Sequence, residues 1–346
     1  MSRAWRFALV FCVLLLVAGG AAVVVWSGVR SLDEPLRLAG PVRFKVAPGA
    51  SFSRVAAGLA AQGVIASPRA WVLYARWSRL APAVKAGEYE IQPGITPREL
   101  LRKMVNGEVL LHSFTIVDGW RVQDVLLALR RNPDILSTLA DKAPDLMAKL
   151  GFPGVDPEGQ FLPETYRFIG GTTDIELLRQ AHAALDRELE ADWKDRDPGL
   201  PLRNSYEMLI MASIVEKESG LPQELRLIAG LYLHRLQMGM RLQADPTVIY
   251  GLGDRYDGDI RTVDLHTDGP YNTYTRAGLP PTPIALPGAA VIRAVAHPEK
   301  TDAIYFVAST KDDGSHVFSS TLREHNVAVA SYVAHQRRKA AEDGVR

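Results

Sequence analysis

The chain carries one cysteine, Cys12, in 346 residues. A single thiol excludes an intrachain disulfide, a cysteine-based zinc cluster and a C-x-x-C redox pair. A surplus of either charge is also missing, with 40 Lys and Arg against 39 Asp and Glu. That balance argues against a polybasic nucleic-acid binder, and no nucleic-acid partner is expected. Long disorder is excluded as well, because 47% hydrophobic and 23% charged residues is the composition of folded protein. Several chemistries lack their signatures: there is no G-x-x-x-x-G-K-S/T phosphate loop, no H-E-x-x-H zinc motif and no G-x-S-x-G nucleophile elbow. The eight histidines are scattered with no pair at ligand spacing, so neither metal nor cofactor is expected. Ser213 and Lys217 stand four apart, which is not the S-x-x-K spacing of penicillin-binding enzymes.

Long hydrophobic runs are scarce too, with one exception. Residues 7–29, between Arg6 and Arg30, carry no charge. About 20 apolar residues cross a bilayer, whereas a secretory core of about 7–15 ends at a small-residue cleavage site. No clear site of that kind follows, so the run reads as an uncleaved signal-anchor helix over 7–29 behind a cytoplasmic tail of residues 1–6. Trp5 and Trp26 mark its ends as interfacial residues do. Arg3 and Arg6 precede it, while Arg30, Arg37, Arg43 and Lys45 follow, so charge alone sets orientation weakly. Cys12 lies inside the run, leaving the rest of the chain thiol-free, which fits export.

Beyond a tether at 31–41, a first module runs over 41–107. Val42–Val46 alternates as a strand, Ser51 or Ser53 can cap a short helix, and Ser67-Pro68 opens another. Gly87–Ile91 reads as a second strand, and Thr96-Pro97-Arg98-Glu99 is a capping box opening a helix that Gly107 ends. The larger region, 110–335, opens with a strand at His112–Val117. Helices are expected at Val122–Leu129, Ile175–Ala191, Ser205–Ser219 and Gln223–Met238. Glu158–Phe168 reads as an ordered loop, and Gly239–Gly288 as a long loop of the kind that carries function. Ala303–Ala308 reads as a strand that His316–Ser319 pairs with. The charged tail, 336–346, is expected to fray. The fold class is α+β.

The most informative segment is the helix that begins at Asn204 or Ser205. Met208–Val215 is almost wholly apolar, so the helix is buried on most sides. Glu216, Lys217 and Glu218 then arrive together at its C-terminal end. The negative end of a helix dipole disfavours a carboxylate there, and burial adds to the effect. Both raise a carboxyl pKa toward the range a general acid needs near neutral pH. Glu216 and Glu218 point about 200° apart. Glu218 follows Met211, Ile214 and Val215 on the helix surface, whereas Glu216 sits over Ala212 and Ser213. Spacing favours Glu218 only slightly, and the pair could equally serve to solubilise a helix end with Lys217 as counter-charge.

At this point the motifs match a known family. The sequence resembles the MltG/YceG-like endolytic murein transglycosylases over nearly its full length. The resemblance rests on Met211-Ala-Ser-Ile-Val-Glu-Lys-Glu218 and on Arg235–Gly251, which contains Leu-Gln-Ala-Asp-Pro-Thr-Val-Ile-Tyr. It rests also on Tyr271-Asn-Thr-Tyr274, Gly278-Leu-Pro-Pro281, Ile284-Ala-Leu-Pro-Gly288, the Glu158…Pro163-Glu-Thr-Tyr166 loop, Tyr305-Phe-Val307, His316–Ser319 and His325-Asn326. Asp118-Gly119 stands where Glu-Gly is usual, and Gln160 where an aromatic is frequent.

The resemblance implies an N-terminal transmembrane helix, a LysM-like module at 41–107 and a mixed α/β catalytic domain at 110–335. It implies a lyase that cuts MurNAc-β-1,4-GlcNAc bonds inside peptidoglycan strands without water, leaves 1,6-anhydroMurNAc ends and terminates elongation. The catalytic glutamate falls on Glu218. Glu158, Gln243, Asp245, Thr247, Asn272 and Tyr274 are substrate-binding candidates, each also able simply to order a loop. Partners are glycan strands and, by resemblance, peptidoglycan synthases of the penicillin-binding class. The expected place is the inner membrane, single-pass, with the body in the periplasm. Two rival readings are a hydrolytic muramidase using Glu158 or Asp245 to activate water, and a membrane-anchored scaffold that binds glycan without cutting it.

Overall fold

The computed structural model describes residues 26–140, 143–218 and 220–343. The fold is mixed α/β, and the described residues divide into two compact units. One takes in the chain up to His112 together with Arg167–Gly171, and the other takes in Ser113–Tyr166 and the chain from Thr172 onward.

In the first unit, β1 (Val42–Val46) pairs antiparallel with β2 (Gly87–Ile91), placing Phe44 opposite Tyr89. Between the strands lie α1 (Phe52–Ala61) and α2 (Pro68–Trp77), and α3 (Pro97–Asn106) follows them. Ser51 is the cap of α1, accepting the Arg54 amide. The Thr96–Glu99 capping box forms in both directions, and Gly107 ends α3 at φ 75°, a left-handed position suited to glycine. The strands and helices enclose Phe44, Leu59, Trp71, Tyr89, Leu100 and Met104. The polar atoms of its two large aromatics are satisfied: Trp71 Nε1 donates to Pro97 O at 2.8 Å and Tyr89 Oη to Lys85 O at 2.8 Å. The expected order of strand, two helices, strand and helix is therefore present. The expected span at 7–29 lies almost wholly outside the described residues. Its last residues are described, and 26–30 are helical. No helix among the described residues is long and apolar enough to cross a membrane.

β3 (Leu111–Thr115) and β4 (Thr165–Ile169) form a second two-stranded sheet. In the second unit the helices are α4 (Val122–Arg131), α5 (Leu146–Leu150), α6 (Asp174–Asp195), α7 (Ser205–Glu218) and α8 (Leu225–Gln237). They continue with α9 (Asp245–Leu252), α10 (Thr262–His266) and α11 (Ala289–Ala296). β5 (Tyr305–Ala308) pairs antiparallel with β6 (His316–Ser319), and α12 (Leu322–Asp343) closes the chain. The central element is α7. Met208 through Val215 are all buried, and α6, α8, α9 and α11 pack around it. A helix without a polar face needs neighbours on every side.

Three expectations are corrected. Thr165–Ile169 is a strand rather than the end of a loop, with Tyr166 and Phe168 turned inward in strict alternation. The Gly239–Gly288 stretch contains α9 and α10, and α9 opens on Asp245-Pro246 because proline fits the first helical turn. The tail does not fray at 336. Its helix continues to Asp343 through strong helix formers, and His335 and Lys339 hold Asp312 at 3.0 and 3.2 Å.

Gly230, in the middle of α8, marks the closest backbone approach. A Cβ there would lie 2.1 Å from the Glu299 carbonyl oxygen. Alanine normally gains about 1 kcal/mol over glycine in a helix. Here the clash with backbone outweighs that gain, because overpacking a filled site costs about 1–3 kcal/mol. Gly230→Ala is expected to lower unfolding free energy in urea titration, and a stabilised variant would refute the packing argument.

Candidate functional site

The site is assembled at the C-terminal end of α7. α8 runs beside it and presents Tyr232 and Arg235, three residues apart and so on one helix face. Tyr232 is 1% exposed, and its hydroxyl donates to Glu218 Oε1 at 2.6 Å. Burial and the neighbouring Glu218 carboxylate both push the Tyr232 phenol up, so it remains a donor. Arg235 is also buried. Its Nε donates to Ile304 O at 2.6 Å and its Nη1 to Leu242 O at 2.5 Å. The guanidinium lies 5.9 Å from the Tyr232 ring centroid and 5.5 Å from that of Tyr305. Arg235 thus ties the start of β5 to the segment leading into α9.

That segment delivers the next two groups. Gln243 sits at φ 49°, an uncommon conformation for a side chain of its kind, with its amide on Thr273 O at 3.2 Å. Asp245, first residue of α9, accepts the Tyr274 hydroxyl at 2.5 Å. Glu218, Tyr232, Arg235, Gln243, Asp245 and Tyr274 line one cavity of about 460 Å³, together with Tyr305, Phe306, His325 and Asn326. His325 stacks on Tyr305 at 5.0 Å, and its Nδ1 is buried with no hydrogen-bond partner among the described residues. Burial, then the nearby Arg235 charge, lowers its pKa. Among the described residues no three His, Cys, Asp or Glu side chains converge as a metal site.

The six substrate-binding candidates separate into two groups. Gln243, Asp245 and Tyr274 line the cavity with Glu218. Glu158, Thr247 and Asn272 are buried and do not line it. Thr247 donates to Ala244 O at 2.7 Å and shares a 2.9 Å bond with Thr273. Asn272 donates to the carbonyls of Asp264, Leu265 and Thr267, and its Oδ1 accepts the Tyr274 amide at 2.9 Å. Both therefore fold the loop that carries Tyr274. Glu158 accepts the Val122 amide at 3.1 Å and the Tyr250 hydroxyl at 3.3 Å, fixing the start of α4. The groups that sequence reasoning did not nominate are Tyr232, Arg235, Tyr305, Phe306, His325 and Asn326. A buried-looking tyrosine and an arginine three residues apart, within the largely apolar Leu231–Leu236 stretch, were the available signal on α8.

Three carboxyls are raised to about 7, each chiefly by burial: Glu158, Glu216 and Glu218. For Glu218 the Tyr232 hydrogen bond opposes that rise, Asp245 adds to it and Arg235 opposes it. Electrostatics alone does not choose among the three, and geometry does. Glu216 spends Oε2 on the Gly288 amide at 3.0 Å, which holds the entry to α11. Only Glu218 of the three lines the cavity. The two acids of Glu-Lys-Glu thus face different partners, as their angular separation on the helix requires.

The profile of the YceG-like family matches residues 44–331. The chain belongs to the YceG-like family. A Bacillus subtilis protein named endolytic murein transglycosylase is 28% identical, the match covering 94% of this chain and 93% of that one. A Streptococcus pneumoniae protein of the same name is 27% identical over 80% of this chain, which spans 55% of that longer protein. A crystal structure of a yceG-like protein from Listeria monocytogenes superposes with a TM-score of 0.51 at 27% identity, covering 83% of this chain and 98% of that one. The YceG-like assignment covers both compact units of this chain.

Burial makes the neutral Glu218 carboxyl the form the fold prefers. Its stabilising contribution is complete below the ordinary carboxylate range and is lost as pH rises through about 7. Glu218→Gln keeps the shape and removes the charge. The variant is expected to match the parent protein near pH 4 and to exceed it by about 2–3 kcal/mol near pH 8 in denaturation experiments. A difference independent of pH would contradict the burial of this group.

Proposed function

We propose that this protein is an endolytic peptidoglycan lytic transglycosylase whose acid/base group is Glu218. The observation that carries the reading is the placement of one carboxyl with pKa about 7 in a polar cavity, bonded through one oxygen to a buried tyrosine. The family and the names of its relatives supply the substrate class: glycan strands of peptidoglycan, cut internally.

The chemistry follows from what such a group can do. The protonated Glu218 donates to the glycosidic oxygen between MurNAc and GlcNAc, and the C1–O bond breaks with that oxygen leaving as a hydroxyl. Positive charge develops on the muramic ring, beside the Asp245 carboxylate. The Glu218 carboxylate then takes the proton from the C6 hydroxyl of the same sugar, whose oxygen bonds to C1. A 1,6-anhydroMurNAc end results, no water is consumed and Glu218 is again protonated. One carboxyl serves as acid and then base when its pKa lies near the working pH. Gln243, Asp245 and Tyr274 are the substrate contacts of this reading, and Glu158, Thr247 and Asn272 act by holding the loops behind them.

The rest of the reading concerns place. The apolar run at 7–29 anchors the chain in the inner membrane as a single-pass helix, with residues 1–6 in the cytoplasm and the body in the periplasm. The module at 41–107 is LysM-like and guides glycan, which the order of its strands and helices supports. An anchor beside emerging strands raises their effective concentration at the cavity, and peptidoglycan synthases are the natural partners there.

The deciding experiment incubates wild type and Glu218→Gln with uncrosslinked strands and weighs the products. Muramic ends one water lighter than reducing ends, absent from the variant, are expected. Reducing ends would mean a hydrolase and direct attention to Asp245, whereas binding without cleavage by wild type would mean a scaffold. Tyr232→Phe extends the test. A hydrogen bond to a charged group is worth about 1.5–3 kcal/mol, and about 1.4 kcal/mol is one pH unit. Losing this donor raises Glu218 further, so the alkaline limb of kcat/KM is expected to move up by on the order of one unit. An unmoved limb with lowered activity would assign Tyr232 to packing alone.

A further inference from the structure

Among the described residues, one helix face of the first unit has no partner. On α2, Trp71 and Ala75 are buried, with Trp71 against Phe52. On the opposite side, Leu73 is 67% and Trp77 83% exposed, the highest exposures of large apolar side chains among the described residues. At 100° per residue, Arg69, Leu73, Arg76 and Trp77 occupy an arc of about 100°. Arg79 follows just beyond the helix end. None of these three arginines has an ion pair among the described residues, and Arg76 alone makes a side-chain hydrogen bond, to Ser53 at 3.3 Å. A tryptophan and a leucine flanked by uncompensated arginines combine apolar surface with positive charge.

The position of this face in the chain says what it meets. Residues 26–30 are helical, and a Cβ on Gly28 would lie 3.2 Å from the Ala70 side chain. Ala70 is the neighbour of Trp77 around α2, about 20° away. The last residues of the apolar run 7–29 therefore lie against α2 at Ala70, on the side of the helix next to the exposed face. Trp26 there is itself 63% exposed, with the Arg30 guanidinium 5.4 Å from its ring, though Arg30 is paired with Glu34 at 3.8 Å. Three further arginines and two exposed apolar side chains thus lie beside the point where the anchor of the preceding section would leave the bilayer.

We propose that α2 is a membrane-contact face: Leu73 and Trp77 enter the headgroup layer while Arg69, Arg76 and Arg79 bind anionic lipid phosphates. The inference rests on the reading of 7–29 as a membrane anchor. Indole rings favour the interface between headgroups and hydrocarbon, and arginines extend along apolar surface to keep their charge on phosphate. Each basic residue near an anionic surface adds to the attraction. The first unit is then held against the membrane by two attachments rather than swinging on the tether, and the orientation of its strands and helices to the bilayer is fixed.

The test uses the full chain with Cys12→Ser and Leu73→Cys, the new thiol carrying an environment-sensitive dye. The protein is reconstituted into phosphatidylcholine vesicles with about 30% phosphatidylglycerol, and into phosphatidylcholine alone. Flotation with the vesicles, blue-shifted emission and quenching by spin-labelled lipid are expected in the anionic vesicles. Arg69, Arg76 and Arg79 changed to Gln are expected to weaken docking about fivefold per residue, and Trp77→Ser to reduce quenching without loss of flotation. Flotation with water-like emission would overturn the docking face and leave the anchor standing. Failure to float would overturn both. Equal quenching in neutral vesicles would overturn the lipid-charge recognition, and a shielded dye that lipid quenchers do not reach would overturn the membrane contact in favour of a protein partner.

Discussion

The constraint on which the second unit depends is the burial of a carboxyl at the end of an apolar helix. α7 has no polar face between Met208 and Val215, so it is stable only when surrounded. The same surrounding that satisfies the helix desolvates Glu218 at its end. It also supplies the compensation, since a buried carboxyl without a partner would carry the full cost of desolvation. Tyr232 provides one strong donor to Oε1. Glu218 lines a cavity to which His325 and Asn326 also contribute. Packing, pKa and access are consequences of one arrangement rather than separate devices.

Three carboxyls near pKa 7 in one unit show how little such a value says about role. Glu158 and Glu216 hold backbone amides at the entries to α4 and α11. These are main-chain partners, fixed by the fold, and Glu158 accepts the Tyr250 hydroxyl besides. Glu218 is bonded to a side chain and opens on a cavity. A perturbed carboxyl becomes a candidate for proton transfer when an oxygen remains for a ligand, and that is a matter of placement.

Much of this was legible in the sequence, for identifiable reasons. Caps are local chemistry, so Ser51, Thr96 with Glu99, and Gly107 stand where the residue types placed them. Alternation gave β1 and β2 their bounds. Thr165–Ile169 alternates equally well, but flanking Pro163 and Gly170 hid it as a loop. Glu218 was reached through a motif, since helical spacing barely separated it from Glu216. Thr247 and Asn272 stood in motifs beside the site, yet their polar atoms turn inward to carbonyls and hydroxyls of the loop. Sequence gives the residue type and spacing, not the direction in which a buried hydroxyl points. Tyr232 shows the converse: between Leu231 and Leu233 it reads as core until its hydroxyl is seen on Glu218.

The environment of Asp245 bears on whether water or the sugar's own hydroxyl completes the reaction. A hydrolase needs a second carboxylate free to take a proton from water. Asp245 shares the cavity with Glu218, but its Oδ1 already accepts a 2.5 Å hydrogen bond from Tyr274. That bond occupies one of its two oxygens and fixes the carboxylate in place. What remains strong is its charge. In the reaction proposed above, a fixed anion beside the muramic ring favours the positive charge that develops as the C1–O bond breaks, without taking part in proton transfer. Tyr274 is in turn held from behind, its amide on Asn272 and its carbonyl on Arg241 at 2.8 Å. In that proposal one carboxyl serves proton transfer and the other electrostatics, a division that suits attack by an internal hydroxyl already delivered by the substrate.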